Sequence, residues 1–242
     1  MLSSKKLKAL QPYIDIVEAH KGKTLGSVFT GLGSKKHAHF KKGAGGLIIE
    51  NLLGLQNNSS PKADLEDLKI EVKVLPVQLR NLKAKEPTQI KTINYVKLAQ
   101  ERWESAEIRE KIETVFWVVY GVGKVGGKFV SQDQYVILDW FIDVPDEETQ
   151  EVFRKDWEEI RSYVVKGRAG DLSCGMGVYI EPKTKGKNNR ELTNAPDGKG
   201  GLIKVSRRAF YFKKKYTNTK VIPDLDLPAL NPATPGVAGG HS

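Results

Sequence analysis

Residues 115–121, VFWVVYG, are an uncharged run of seven that reads as a buried strand. The Gly-rich stretch GVGKVGGK separates it from a second apolar strand, YVILDWFIDV. A helix follows: Asp146 can cap it, Phe153, Trp157, Ile160 and Val164 stand 4, 3 and 4 apart as a core-facing stripe, and Gly167 can end it. Upstream, LKIEVKVLPV alternates over residues 68–77, with Leu68, Ile70, Val72 and Val74 on one face and Lys69, Glu71 and Lys73 on the other. Residues 5–20 read as an amphipathic helix, GLIIENLLGL (46–55) as a buried helix closing at Gly54, and RWESAEIREKIET (102–114) as a further helix. GVYIEP and LIKVSRRAFYFKKKY give two more strands on either side of a polar, basic loop. These elements predict one α/β domain built on a mixed sheet.

The chain is long enough, at 242 residues, for a self-sufficient core. Its single Cys174 excludes an intramolecular disulfide framework and any cysteine-based zinc cluster, and four scattered histidines (His20, His37, His39, His241) do not make a strong metal site. The sequence shows no apolar leader and no run long enough for a membrane span, so the expected location is the cytoplasm, with no membrane partner. The formal charge of +10 is concentrated. Between Lys183 and Lys220 twelve basic residues face only Glu191 and Asp197, and the rest of the chain is neutral with 27 of each sign. A localised patch of this kind implies a docking face for a polyanion. A second basic loop contains Lys35, Lys36, Lys41 and Lys42, and the Pro/Gly-rich tail 223–242 is expected to be extended or disordered.

Acids mark the chemistry. The turn-forming SSPKAD sequence can bend the chain so that Asp64 and Glu71 converge, and two converging carboxylates repel unless a cation lies between them. Hard oxygen donors suit Mg²⁺, with Lys73 beside them to orient a water for attack on a phosphodiester. The same alternation also describes a solvated strand face. A competing match, Asp171 with Glu181-Pro182-Lys183, is weakened because Pro182 removes a ladder donor. Glu50 interrupts LIIENLLGL on the helical side of Leu47 and Leu53, which makes it either a neutralised or edge carboxylate or a third site acid.

Seven blocks in order, GKTLGSV, KKGAGGLIIENLLG, ADLEDLKIEVKVLPV, RWESAEIREKIETVFWVVY, RKDWEEIRSYVVKG, VYIEPK and RRAFYFKKKYT, resemble the MutH-like DNA endonucleases, a family of mismatch-repair and type II restriction enzymes. The likeness covers roughly residues 20–222 and implies the PD-(D/E)xK restriction-endonuclease-like fold, a mixed sheet flanked by helices with two lobes around a DNA cleft. It implies a single domain over 1–222, with a catalytic lobe at about 20–145 and a DNA-recognition lobe at about 146–222. On the matching positions, Asp64, Glu71 and Glu50 would hold Mg²⁺, with Mn²⁺ as a substitute, Lys73 would orient the nucleophilic water, and Lys111 would stabilise charge on the phosphate. Tyr211 matches the residue that senses the target adenine and its methylation. Lys183 matches a recognition-loop lysine, and Lys185, Arg207, Arg208, Lys213, Lys214 and Lys215 are implied DNA contacts that give affinity and register.

The chain departs from the family pattern at Glu181, where the repair enzyme carries Arg before Pro-Lys; a carboxylate there accepts from a cytosine amino group and cannot read guanine as Arg does. Together with Lys-rich insertions around 183–200, this favours a type II restriction enzyme cutting double-stranded DNA, with a homodimer on a palindromic site as one arrangement. The alternative is a nickase that cuts the unmethylated strand of hemimethylated GATC in mismatch repair with a MutL-type activator. Further alternatives are a DNA-binding module without catalysis and an RNA-binding protein using the patch at 207–216.

Overall fold

The computed structural model describes residues 2–32, 43–55, 62–185 and 191–227. The basic loop at Lys35, Lys36, Lys41 and Lys42, the residues Lys187 and Arg190, and the tail from Pro228 onward lie outside them. In chain order the elements are α1 (Ser4–Glu18), α2 (Leu25–Gly31), α3 (Ala44–Leu52), β1 (Glu71–Gln78), β2 (Lys83–Ala84), β3 (Thr88–Thr92), α4 (Tyr95–Gln100), β4 (Val115–Val122), β5 (Lys124–Val125), β6 (Lys128–Phe129) and β7 (Val136–Asp143). They continue with α5 (Glu147–Val165), β8 (Ile180–Thr184), β9 (Leu192–Pro196), β10 (Leu202–Ser206), β11 (Arg208–Phe212) and α6 (Lys214–Tyr216).

Strand β4 is buried along its whole length, which is possible only if both faces of its sheet are covered. The sheet runs β2-β1-β4-β7, with β1 and β4 parallel and the outer pairs antiparallel, so the expected mixed sheet is present. Alternate residues feed two cores. Val72, Phe116, Val118 and Tyr120 face α1, α2 and α3, whereas Leu75, Val77, Val115, Trp117 and Val119 face α5 and a second sheet. That second sheet is three-stranded, β3-β11-β8, and β9 pairs with β10 beside it. Helix α5 packs its predicted stripe Phe153, Trp157, Ile160 and Val164 inward and is capped by the Asp146 carboxylate on Thr149 N–H. Among the described residues no helix is long and apolar enough to cross a membrane.

Several local expectations change. Residues 102–114 form two 3-10 turns, Trp103–Ser105 and Arg109–Lys111, and no α-helix. Ala106, Ile108 and Ile112 are all buried, and burial at spacings of 2 and 4 is incompatible with one helical face. The alternating strand begins at Glu71 and not at residue 68, because Leu68 closes a 3-10 turn and Lys69 takes a left-handed conformation with φ 53°. The polar loop after β8 contains β9, and LIKVS and RAFYF are separate strands with different partners, so this region has four strands and not two. In LTNAP no hydrophobic alternation announces a strand.

Gly126 and Gly127 both have positive φ and supply the two-residue turn of the β5–β6 hairpin. Gly167, at φ 74°, ends α5 so tightly against the neighbouring backbone that a Cβ would lie 2.1 Å from the Asp197 carbonyl oxygen. Gly167→Ala is expected to cost about 3 kcal/mol of stability. Urea unfolding checks this; an unchanged midpoint contradicts it.

Candidate active site

The turn between residues 64 and 71 assembles the site. Leu65 and Ile70 exchange backbone hydrogen bonds of 3.0 and 3.3 Å, which folds residue 64 back along the start of β1. Asp64 Oδ2 then accepts from Val72 N–H at 3.0 Å, so the two acids expected to converge are placed on either side of one backbone bond. Glu71 opens β1, its N–H bonded to the Thr114 carbonyl at 3.0 Å, and its carboxylate is buried at 1 % exposure. A solvated strand face is therefore excluded. Lys73 Nζ bonds Glu71 Oε1, and Lys111 Nζ bonds Glu71 Oε2 at 2.8 Å while also donating to the Lys62 carbonyl. Lys111 is itself buried, carried in from the 3-10 turn that replaces the expected helix. One carboxylate thus bridges two ammonium groups, which leaves one positive charge in excess among the three.

Glu50 approaches from α3, which lies along β1 with Gly46 against Val74. Ile48, Ile49 and Leu53 are the buried hydrophobic side chains of that helix region, whereas Leu47 is exposed and Glu50 is half-buried at the flank. Glu50 therefore does not stand on a core stripe with Leu47, since the helix turns that side outward. Its carboxyl is pushed above the ordinary value, first by burial and then by the negative charge of Asp64; Glu71 adds to this, and Lys73 offsets part of it. Glu50, Asp64, Glu71 and Lys73 thus share one electrostatic environment. Among the described residues no three acidic, histidine or cysteine side chains are gathered closely enough to make a metal cluster by themselves.

A raised carboxyl pKa means that the folded state binds the proton more readily than the unfolded chain. Ionised Glu50 therefore opposes folding above its folded-state pKa, and the opposition vanishes as pH falls below the ordinary value of 4.5. Glu50→Gln is expected to melt at a higher temperature than the parent at pH 8, with the difference shrinking toward zero in acid. Thermal unfolding across pH checks the sign.

The second sheet presents a polar row. Glu181, Tyr211 and Gln89 are register partners across β8, β11 and β3, so their side chains share a face. Tyr211 Oη donates to Gln89 Oε1 at 3.3 Å, and Lys183 Nζ lies 5.6 Å from the centre of the Tyr211 ring. Burial pushes the Glu181 carboxyl up, against the pull of Lys213 and Lys183, and it also raises Tyr211. Pro182 sits on β8, an edge strand where its missing N–H costs nothing.

The other basic residues divide into two groups. Lys214 and Lys215 are exposed, Lys215 lying over the Tyr179 ring at 5.9 Å, and Arg207 is exposed with Glu191 at 4.0 Å. Lys213 is instead tied to the Met176 and Gly177 carbonyls, Arg208 to Thr184 Oγ1 and the Gly170 carbonyl, and Lys185 to Thr92 Oγ1. Burial, with help from Arg207, lowers Lys185.

Sequence reasoning overlooked Asp156. On α5 its carboxylate accepts from the N–H groups of Val178, Tyr179 and Ile180 at 2.7–2.8 Å, holding the start of β8 on the helix. The signal was available, because Asp156 stands three residues after Phe153 and four before Ile160, an acid in the middle of the core stripe.

The family model of the DNA mismatch repair enzyme MutH matches residues 53–156, a span that contains Asp64, Glu71, Lys73, Lys111 and Asp156. The chain is 31 % identical over 202 residues to the DNA mismatch repair protein MutH of Yersinia enterocolitica, covering 83 % of this chain and 86 % of the relative. To the MutH of Shewanella woodyi it is 28 % identical over 200 residues (82 % and 84 %), and to that of Actinobacillus pleuropneumoniae 26 % over 179 residues (73 % and 76 %).

Proposed function

The chain belongs to the MutH family of site-specific DNA endonucleases, and on that footing we propose that it nicks one strand of duplex DNA in mismatch repair, at the site built on Glu71. The observation that carries this reading is the pairing of Glu71 with both Lys73 and Lys111 beside Asp64 and Glu50. The restriction-enzyme reading that the sequence favoured gives way, since the relatives described above are named as mismatch repair proteins.

The donor chemistry suits a hard divalent cation: Glu50, Asp64 and Glu71 offer only carboxylate oxygens, and the upward push that Asp64 and Glu71 exert on Glu50 is a repulsion that a cation drawing the three together would relieve. Asp64 and Glu71 would hold Mg²⁺ with Glu50 completing the set, and Mn²⁺ would substitute. When bound, the ion would supply positive charge to the phosphate undergoing attack. Lys73 orients the water through its ammonium group, held in place by Glu71. Lys111 stabilises negative charge on the phosphoryl oxygens. Lys111 is buried and Lys73 partly so, which keeps their charges close to the reaction and poorly screened.

Recognition is assigned to the row Glu181, Tyr211 and Gln89, with Tyr211 testing adenine methylation and Lys183 beside it. Glu181 adds an acceptor for a cytosine amino group, which sets the preference around the target. Arg207, Lys214 and Lys215 contact phosphates; Lys185, Arg208 and Lys213 chiefly hold the recognition sheet in shape through their intramolecular bonds. A single domain over 1–222 with catalytic and recognition lobes divided near residue 145 accommodates this, with β3 reaching from the first into the sheet of the second. A MutL-type activator is the expected partner.

Supercoiled plasmid tests the reading. Open circles as the sole early product, from hemimethylated but not fully methylated substrate, are the expected outcome. Simultaneous linearisation at one site irrespective of methylation overturns the nickase and restores the restriction enzyme.

A further inference from the structure

A cavity of about 520 Å³ opens at the far edge of the main sheet, where β7 ends and α5 begins. Its walls are mainly apolar, with Leu2 and Leu7 from the first helix region, Phe141 and Val144 around the end of β7, and Pro145. Leu7 and Val144 are exposed at its rim. Its floor is Asp143, a carboxylate at 5 % exposure. Tyr216 Oη at 2.5 Å and Trp117 Nε1 at 3.2 Å both donate to Oδ2, and among the described residues no group donates to Oδ1.

Oδ1 is not one of the sealed, unpaired side-chain atoms of the described residues, so it opens onto the cavity. Burial raises the Asp143 carboxyl to about 6, with Asp224 and Asp146 adding to the shift against the Tyr216 and Trp117 hydrogen bonds. The charged residues lining the cavity are Asp143, Asp146, Asp224 and Lys220, and Lys220 Nζ is engaged by Asp146 at 3.6 Å. Two carboxylates are therefore left for a ligand. In a chain of net charge +10 this is a locally acidic hollow, unsuited to a phosphate backbone.

We propose that this cavity is a docking site for a partner polypeptide, which inserts the side chain of an arginine or lysine so that its aliphatic stem lies on the apolar wall and its cationic head meets Asp143. Two features select this occupant. The volume falls within the roughly 300–1,000 Å³ typical of sites that enclose a ligand. An apolar collar above a carboxylate matches a long amphipathic cation better than a hydrated metal ion, which needs oxygen donors on several sides.

The position also couples the site to the rest of the molecule. Glu71, Val115 and Asp143 are register partners across β1, β4 and β7, so Asp143 lies two strand spacings, about 10 Å, from the catalytic acid. Tyr216, its hydrogen-bond donor, stacks on Phe212 at 5.1 Å, next to Tyr211 on the recognition strand. An occupant there touches Tyr216, which stacks on the strand that carries Tyr211.

The test is a binding measurement on the full chain, and so is independent of nuclease activity. The indole Nε1–H resonance of Trp117, assigned by its loss in Trp117→Phe, is followed by NMR during titration with N-acetyl-Leu-Arg-amide, its Leu-Gln analogue and agmatine. Saturable movement with the Arg peptide is expected at millimolar concentrations, at least tenfold weaker or absent with the Gln peptide; agmatine, which has the same stem and guanidinium head, is expected to produce the movement too. Asp143→Asn, which keeps an acceptor for Tyr216 and Trp117, is expected to abolish it, as is Val144→Trp at the rim. No movement with the Arg peptide, equal movement in Asp143→Asn, equal movement with the Gln peptide, or no movement with agmatine each overturns the proposal.

Discussion

Glu71→Gln is expected to lower the single-turnover nicking rate by about a thousandfold or more, while DNA affinity measured without divalent cation changes by only a few-fold. Glu71 is the group on which Lys73 and Lys111 are both positioned, and the amide that replaces it carries no charge to hold a cation or either ammonium. Removing it therefore disables several roles in one step, whereas the proposed DNA contacts on β8 and β11 are on another sheet and are left unchanged. Stability should fall as well. Lys111, at 5 % exposure, loses its counter-charge, and breaking a buried pair typically costs about 3–5 kcal/mol. The double variant Glu71→Gln/Lys111→Met separates the two effects: it is expected to regain much of the lost melting temperature and none of the activity. A single variant that nicks within tenfold of the parent rate rules Glu71 out as the centre of the site.

Asp156→Ala is expected to destabilise the protein by about 3–5 kcal/mol. Three backbone N–H groups, those of Val178, Tyr179 and Ile180, are left without their acceptor, and each bond is a charge-assisted one of 2.7–2.8 Å. Close to the same point a Cβ on Gly177 would lie 2.0 Å from the Ile180 carbonyl oxygen, so this turn has little room to rearrange. Asp156→Asn retains one acceptor oxygen and is expected to lie between the two. Because β8 carries Glu181 and Lys183, the alanine variant should also discriminate poorly between cognate and non-cognate DNA at temperatures where it is still folded. Chemical denaturation and competition binding check both parts; a loss below about 1 kcal/mol contradicts the anchoring role.

How much of this was legible in the sequence depended on whether local pattern and tertiary burial agreed. They agreed for β4, whose uncharged run could only be interior, and for α5, where the cap at Asp146 and the apolar stripe give one answer. The Asp64–Glu71–Lys73 constellation was readable because seven residues of chain and a turn-rich segment determine it locally. Residues 102–114 were misread for the opposite reason. Their composition favours a helix, yet Ala106, Ile108 and Ile112 are each drawn into the core, and Lys111 is fixed by partners 40 and 49 residues away. No local pattern could carry that information. The same holds for β9 and for the internal bonding of Lys185, Arg208 and Lys213, which a reading by charge alone treats as free contacts. Asp156 was a different kind of miss, since the argument that singled out Glu50 applied to it with greater force.

Strand-resolved cleavage of a hemimethylated GATC duplex, labelled on both strands, by the parent chain and by Asp64→Ala, each with Mg²⁺ and with EDTA, tests the central claim most directly. Asp64 is held at the mouth of the site by the Val72 N–H and contributes little to the core, so its truncation reports on chemistry more than on folding. The expected result is a Mg²⁺-dependent nick confined to the unmethylated strand, lost in EDTA and lost in Asp64→Ala. Cleavage that persists in Asp64→Ala, or that proceeds equally well in EDTA, would contradict an active site built from Glu50, Asp64, Glu71, Lys73 and Lys111.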